Sequence, residues 1–354
     1  MNELNYLMKQ NSFSLQKSRK QEFLTKYLNK LTLHHYKNSN LYKKVLNTLG
    51  YNKKKLYNIS DIPYIPIRLF KDFDLLSVDK KKVVKTLHSS GTSNNKLSKI
   101  YLDKQNASNQ IKVLQKILSH FLGNVRLPML IVDAKPNEIS RIKLSARTAA
   151  INGFSIFGRD HTFLLKNEKE INYKVLNKFL KKYKNQKFLI FGFTSLIYEN
   201  LIKKIKIKLL KNDFKNSILI HGGGWKKLQK LNISNNEFKK KLFNKLNIKN
   251  IHNYYGLVEQ TGSIFIECKC GYFVSSNFSD VMIRGSNFEL LNNRQKGFIQ
   301  LISLLPTSYP GHSIVTDDIG EIVDDFYCKC GLNGKKFLVH GRVEKAEIRG
   351  CSDI

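Results

Sequence analysis

Between Leu15 and about Leu56, apolar residues recur at intervals of three and four among charged ones, the period of an amphipathic helix. One or two helices are expected there. Ile62-Pro63-Tyr64-Ile65-Pro66 breaks the period, because each proline fixes its own backbone and biases the preceding residue toward extended geometry. Short apolar runs then alternate with longer helical stretches. The runs are MLIV at 129–132, FLIF at 188–191 and ILIH at 218–221; the helical stretches are 104–121, 173–183 and 195–210. Buried strands separated by amphipathic helices predict an α/β fold with a largely parallel sheet covered on both faces. After about Ile264, Gly271, Gly285, Gly297, Gly311, Gly320 and Gly331 punctuate β-branched and aromatic runs, so a β-rich subdomain is expected. The expected organisation is a helical segment at 1–60, an α/β core at 61–263 and a β-rich subdomain at 264–354.

A chain of 354 residues with 42% hydrophobic content is no disordered tail, and 20 Gly, 6 Pro and 5 Cys exclude fibrous and disulfide-framework classes. The longest nearly uncharged apolar stretch, 188–198, falls short of the roughly 20 residues that cross a bilayer. With no apolar signal core in the first 20 residues, a cytoplasmic location is expected. The net charge of +34 raises a nucleic-acid reading. It is carried mainly by lysines scattered along helices among Asn and Ile, as in KKIKIK at 203–208, which is the composition of solvated faces in an A+T-biased coding sequence. Nucleic acid is therefore not the expected partner.

Five clusters carry candidate chemistry. HSSGTSNNKLSK at 88–99 combines small residues, hydroxyls and a cation, the ingredients of a phosphate-cradling loop, although such a stretch also makes an ordinary polar turn. HGGGW at 221–225 follows an expected parallel strand, where open α/β sheets place ligands and where glycines let backbone lie against a planar ring. A tight strand-to-helix turn is the plainer alternative. In NYYGLVEQTG at 253–262 the single carboxylate, Glu259, could hold magnesium bridging nucleotide phosphates or be a solvated loop acid. In TDDIG at 316–320, Asp317 and Asp318 could accept hydrogen bonds from ribose hydroxyls or serve an Asx turn. Near the end of the sequence, Cys351 follows Arg349 and Gly350, a cation and little steric cover, which favours a reactive thiolate.

In order, these clusters resemble those of adenylate-forming enzymes, most closely the acyl-protein synthetases typified by the fatty-acid-activating LuxE component of bacterial bioluminescence. The resemblance runs from about Ile62 onward. It implies a large adenylate-forming α/β domain without the superfamily's full C-terminal domain. Ser89, Ser90, Gly91, Thr92 and Ser93 look like the phosphate loop, with Lys96 or Lys99 as its cation. Gly222, Gly223, Gly224 and Trp225 look like the adenine-side loop. Tyr255, Gly256 and Glu259 fall in the signature whose Glu is implied to contact magnesium and phosphate; Asp317 and Asp318 match the ribose acid, and Arg342 the hinge motif. RGCSDI implies Cys351 as the acylated nucleophile. The implied reaction consumes ATP and a carboxylic acid, of the fatty class by this resemblance, and delivers the acyl group to a reductase or other acceptor protein. The competing readings are a phenylacetate-type acyl- or aryl-CoA ligase and a basic nucleic-acid-binding protein on an inactive ligase scaffold.

Cys268-Lys269-Cys270-Gly271 and Cys328-Lys329-Cys330-Gly331 repeat one pattern. Their four thiols are enough to close a tetrahedral zinc site; the alternative is two exposed turns without metal.

Overall fold

The computed structural model describes residues 3–89, 96–136, 146–167, 170–206, 213–223, 233–324 and 328–343. The chain begins with helices α1 (Glu3–Lys9), α2 (Lys17–Asn38) and α3 (Asn40–Thr48). Strand β1 (Ile65–Pro66), helix α4 (Leu69–Asp72), strands β2 (Val83–His88) and β3 (Lys99–Asp103), and helix α5 (Lys104–Leu122) follow. Next come β4 (Leu127–Ala134), α6 (Ala146–Ser155), β5 (Gly158–Asn167), β6 (Glu170–Ile171), α7 (Tyr173–Lys182), β7 (Phe188–Phe193) and α8 (Thr194–Ile197). Then β8 (Ser217–Gly222), α9 (Asn235–Leu246) and β9 (Asn250–Tyr255) lead to the β-rich part: β10 (Phe265–Glu267), β11 (Phe273–Val274), β12 (Ser279–Arg284), β13 (Gly297–Ser303), β14 (Ser313–Asp324) and β15 (Lys336–Arg342).

Two compact units result. Described residues up to 120 and from 256 onward form the first, and 121–255 the second. In the first, β12, β13, β14, β15, β11 and β10 pair in that order, antiparallel throughout. β14 is long enough to serve two partners on one side, taking β1 in parallel at Ile314 and Val315 and β15 from Asp318 to Asp324. The N-terminal helices belong to this unit: Lys20 donates to the Ser275 hydroxyl at 2.9 Å, and Thr32 bonds His312 at 2.9 Å.

In the second unit the order is β6, β5, β4, β7, β8, β9, parallel except for the short β5–β6 edge. Strand alternation sorts β7 onto two faces. Phe188 and Ile190 join a core with Leu176 and Phe179 of α7 and Phe238 and Leu242 of α9. Phe191 points the other way and stacks on Phe154 of α6, ring centroids 4.4 Å apart. The sheet is therefore covered on both faces, as the apolar runs predict. Each such fully buried side chain contributes about 1.5–3 kcal/mol relative to exposure. Local signals fix the helix ends: Ser234 accepts from the Glu237 amide at 3.1 Å to start α9, and Asn247, left-handed at φ 56°, stops it.

One helix differs from expectation. The stretch expected at 195–210 is α-helical only to Ile197 and continues as a wider π-helical turn over Tyr198–Lys204. The Asn200 side-chain amide donates to the Leu196 carbonyl at 2.9 Å, competing for an acceptor of the backbone ladder, and Ile205 bonds five residues back to the Asn200 carbonyl.

Candidate active site

Glu259 lies in a short 3-10 turn, Val258–Gln260, in the first unit and is 4% exposed. Its backbone is fixed from several directions. The Tyr309 hydroxyl donates to the Glu259 carbonyl at 2.8 Å, and the Gln260 side chain donates to the Leu301 and Gly311 carbonyls at 3.0 and 2.8 Å. Gly262 has φ +90°, and a Cβ there would sit 2.7 Å from the Gln110 carbonyl oxygen. Burial pushes the Glu259 carboxyl above the usual carboxylate range; the Ser98 hydroxyl and the charges of Lys71 and Arg342 pull the other way. A buried acid whose ionisation is only partly offset by protein charges suits a cation carried in with a ligand.

Asp318 and Arg342 face each other across β14 and β15, with Arg342 Nε donating to Asp318 Oδ1 at 2.9 Å. Asp318 is buried and Arg342 half-buried. Alternation along β14 turns the neighbouring Asp317 outward, where its carbonyl accepts from the Val343 amide at 3.2 Å. Among the described residues, Asp318 is the member of the pair built into a polar contact of this kind. Strand register, not sequence proximity, thus joins the TDDIG cluster to the arginine of the C-terminal cluster.

The Ser/Thr/Gly stretch lies in the sequence between β2 and β3. Its base is clasped twice: the Ser98 amide donates to Ser89 Oγ at 2.8 Å, and the Ser89 amide donates to the Ser98 carbonyl at 3.1 Å. Ser90, Gly91, Thr92 and Ser93 lie outside the described residues. Lys96 is exposed and 3.9 Å from Asp72, and Lys99 lies 3.3 Å from Asp74. The first unit therefore brings together Ser89, Ser98, Glu259, Arg342 and Asp318, from four of the sequence clusters.

Within the second unit, His221 turns into the core, bonding the Thr194 hydroxyl through Nδ1 at 2.9 Å and packing on Phe238. Gly222 and Gly223 are required locally: a Cβ on Gly222 would lie 2.5 Å from the Tyr254 ring, and one on Gly223, at φ +81°, would lie 2.7 Å from the Phe193 ring. The planar rings against which these two glycines demonstrably lie are the protein's own. Gly224 and Trp225 fall outside the described residues, as does Cys351. Tyr255 ends β9, partly buried; Gly256 opens the next loop in the first unit and lies against Ile264. The second unit also holds a cavity of about 390 Å³ lined by residues including Ile131, Thr148, Ile151, His161 and Phe163, none of them a sequence-predicted site residue.

The model of the acyl-protein synthetase family, LuxE, matches residues 2–354. The chain belongs to the LuxE acyl-protein synthetase family. No curated protein matches it. Among solved structures, an open conformation of 2-hydroxyisobutyryl-CoA ligase in complex with 2-HIB-AMP and CoA is similar with a TM-score of 0.68 at 10% identity, covering 94% of this chain and 77% of that one. The luciferase-like enzyme from the nonluminescent Zophobas morio mealworm is similar with a TM-score of 0.50 at 17% identity, covering 76% of this chain and 59% of that one. This LuxE-family chain therefore has the mixed α/β fold of adenylate-forming ligases. Among its described residues no helix is long and apolar enough to cross a membrane.

Several residues that shape the site of this LuxE-family chain carry no sequence signal. Lys71 sits on α4 and acts on Glu259 by charge, whereas the lysines singled out in the sequence, Lys96 and Lys99, have surface acids as neighbours. Tyr309, Gln110 and Gly311 reach the Glu259 turn from segments that look like ordinary loop and helix. The cysteine pairs, by contrast, meet as their spacing suggests: the sulfurs of Cys268, Cys270, Cys328 and Cys330 all lie within 4.8 Å of one another.

Proposed function

We propose that the chain is an ATP-dependent acyl-protein synthetase. A carboxylate oxygen of the acid attacks the α-phosphorus of ATP, the bond from that phosphorus to the bridging oxygen breaks, and pyrophosphate leaves with the electron pair. The product is an acyl-adenylate. The Cys351 thiolate then attacks the acyl carbonyl carbon, AMP departs as its phosphate anion, and the resulting thioester carries the acyl group to an acceptor protein. A fatty acid and an acyl-reductase partner are the substrate and acceptor this reading favours, from the family to which the chain belongs.

The observation that carries the reading is the gathering of Glu259, Arg342, Asp318 and the clasped base of the Ser89–Ser98 loop within one unit of a LuxE-family chain. Asp318, oriented by Arg342, is assigned to accept a ribose hydroxyl. Amides and hydroxyls of 89–93 are assigned to the phosphates, with Lys96 as their cation, in an electrostatic role that needs no proton transfer. Gly222, Gly223, Gly224, Trp225, Tyr255 and Gly256 are assigned to the adenine side, and Asp317 beside the ribose acid, on family resemblance. Glu259 fits magnesium, as a rigidly held buried carboxyl with incomplete protein compensation; bound magnesium supplies neutralisation of phosphate charge.

Pyrophosphate exchange and covalent labelling separate the two half-reactions. Cys351→Ala is expected to keep acid-dependent exchange of pyrophosphate into ATP and to lose acid-stable acyl label from radioactive fatty acid. Persistent label removes the cysteine from its role. Efficient release of acyl-CoA on adding coenzyme A, with no protein label in the unmodified chain, would replace this reading by a CoA ligase.

A further inference from the structure

The cysteine cluster sits in the first unit, and its geometry is specific. Cys268 Sγ lies 3.6 Å from Cys328 Sγ, and Cys328 Sγ lies 2.8 Å from Cys330 Sγ. Neither separation is a disulfide, whose S–S bond is about 2.05 Å. A tetrahedral zinc with Zn–S bonds of about 2.3 Å would hold its sulfurs about 3.8 Å apart, within the spread the four thiols span.

The two halves are the same turn built twice. Gly271 and Gly331 adopt φ +86° and +82°, and their amides donate to the carbonyls of Cys268 and Cys328 at 3.0 and 2.8 Å. Each turn folds the chain back so that both of its sulfurs face one point, and a side chain in place of either glycine would strain that conformation. Four thiolates around a divalent ion leave a net charge of −2, and the middle residue of each turn, Lys269 or Lys329, is an exposed cation.

We infer that Cys268, Cys270, Cys328 and Cys330 bind one zinc ion as a closed, four-thiolate structural site that clasps the strand following the Glu259 turn to the strand carrying Arg342. The connectivity gives the clasp its purpose. Cys268 and Cys270 directly follow β10, which begins five residues after the Val258–Gln260 turn. Cys328 and Cys330 lead into β15, whose far end is Arg342. β11 hydrogen-bonds to both strands, but with only two residues it is a short splint, pairing Ile266 with Val274 and Phe273 with Phe337. A metal cross-link at this place supplies what that ladder lacks. With four protein ligands, no position remains open for a substrate, so the ion holds and does not react.

The test is metal analysis of the full chain purified without added metal. One zinc per chain is expected, released by a mercurial with all four thiols and rebound on restoring them; cobalt replacement should give the intense visible absorption of tetrahedral cobalt thiolate. Cys270→Ser, at the most exposed ligand, should lower zinc content and the thermal midpoint together, whereas Glu259→Gln should leave zinc content unchanged. A folded wild-type protein with no stoichiometric metal and all five of its thiols titrating freely, or with Cys328 joined to Cys330 by a disulfide, overturns the inference. So does stoichiometric iron in place of zinc. None of these readouts requires the synthetase reaction, so the zinc site can fail while the proposed function stands, and the reverse.

Discussion

Both units have apolar cores, but the first buries far more polar side chains along with it. Among the described residues, the second has a core of leucine, isoleucine and phenylalanine from Leu130 to Ile251, relieved by a few buried polar groups such as Asp133 with Arg147 and His221 with Thr194. In the first, Asn106, Gln110, Glu259, Gln260, Ser263, Gln300, Ser303, Ser308 and His312 are all buried, and hydrogen bonds run through them. Asn106, for instance, donates to the Leu305 carbonyl at 2.7 Å and accepts from the Ser308 hydroxyl at 2.8 Å. Apolar packing is non-directional and tolerates exchange of similar volumes, whereas a polar core specifies one arrangement and is costly when half-satisfied. The unit that holds Glu259 and Asp318 is built in the manner that fixes angles.

The contrast is broken most severely at the ionic contact of the second unit. Asp133 and Arg147 form a buried bidentate pair, with Arg147 Nε 2.6 Å from Asp133 Oδ2. Arg147→Leu strands a buried carboxylate and is expected to cost about 3–5 kcal/mol in urea unfolding. The double variant Asp133→Leu with Arg147→Leu should recover much of that loss, because an apolar surround accepts apolar replacements. If the double variant is no better than the single, the second unit depends on its polar contact as the first does.

Next in size is an effect on chemistry. Glu259→Gln preserves shape and removes charge, so exchange of pyrophosphate should fall by about 10²–10³-fold, of order 3–4 kcal/mol in the barrier, with little change in unfolding midpoint. Gly262→Ala acts on the same turn through the backbone. Its left-handed φ and the 2.7 Å approach to the Gln110 carbonyl predict a loss of about 2 kcal/mol or more in stability, with activity falling alongside. Equal activity in Gly262→Ala would mean that the rigid seat of Glu259 is immaterial.

Acid titration reports on both units. Burial pushes His312 in the first and His221 in the second down to about 3 from an ordinary 6.5. Each is neutral when folded and protonates in the unfolded chain near 6.5, so the unfolded state binds more protons between those values and stability falls as pH drops from about 6.5 toward 3. The slope is about 1.4 kcal/mol per pH unit for each such group. His35 adds to the first unit, lowered by burial and by His312, whose ring stacks on it at 5.0 Å. Unfolding free energies measured at intervals from pH 7 to 4.5 should therefore decline, and His221→Phe should flatten the slope even where it lowers the value at pH 7. An unchanged slope would place that histidine's titration elsewhere.

The same contrast explains what was legible beforehand. MLIV, FLIF and ILIH became β4, β7 and β8 because a strand buried on both faces needs a continuous apolar run, and sequence states that directly. Beside its apolar core, the first unit buries a layer of Ser, Asn, Gln and His, which reads as surface; nothing local tells that Gln300 receives Arg284 Nε at 2.7 Å or that His35 bonds Ser77 at 2.7 Å. Glu259, Asp318 and Arg342 stood out by motif, but their association depends on the β14–β15 register and on long-range contacts to Tyr309 and Gln110. In the sequence the paired glycines at 222 and 223 suit a ligand, and the structure gives each a reason in a neighbouring aromatic ring.

The smallest expected effect separates fold from chemistry at the surface lysines. Lys96 and Lys99 are exposed, and their ion pairs, at 3.9 and 3.3 Å, are solvated contacts with Asp72 and Asp74. Exposed pairs of this kind contribute about 0.2–1 kcal/mol and are screened by salt. Lys96→Ala and Lys99→Ala should accordingly shift the urea midpoint by the equivalent of about 0.5 kcal/mol or less, and the shift should vanish at high ionic strength. Because neither substitution disturbs the polar core, any loss of pyrophosphate exchange in one of them measures contact with the nucleotide and not damage to its seat. A rise in KM for ATP in Lys96→Ala alone would make Lys96 the phosphate cation; a rise in Lys99→Ala alone would move that role to the base of the hairpin; and no change in either would leave Lys71 and Arg342, the charges that already act on Glu259, as the cations of the site.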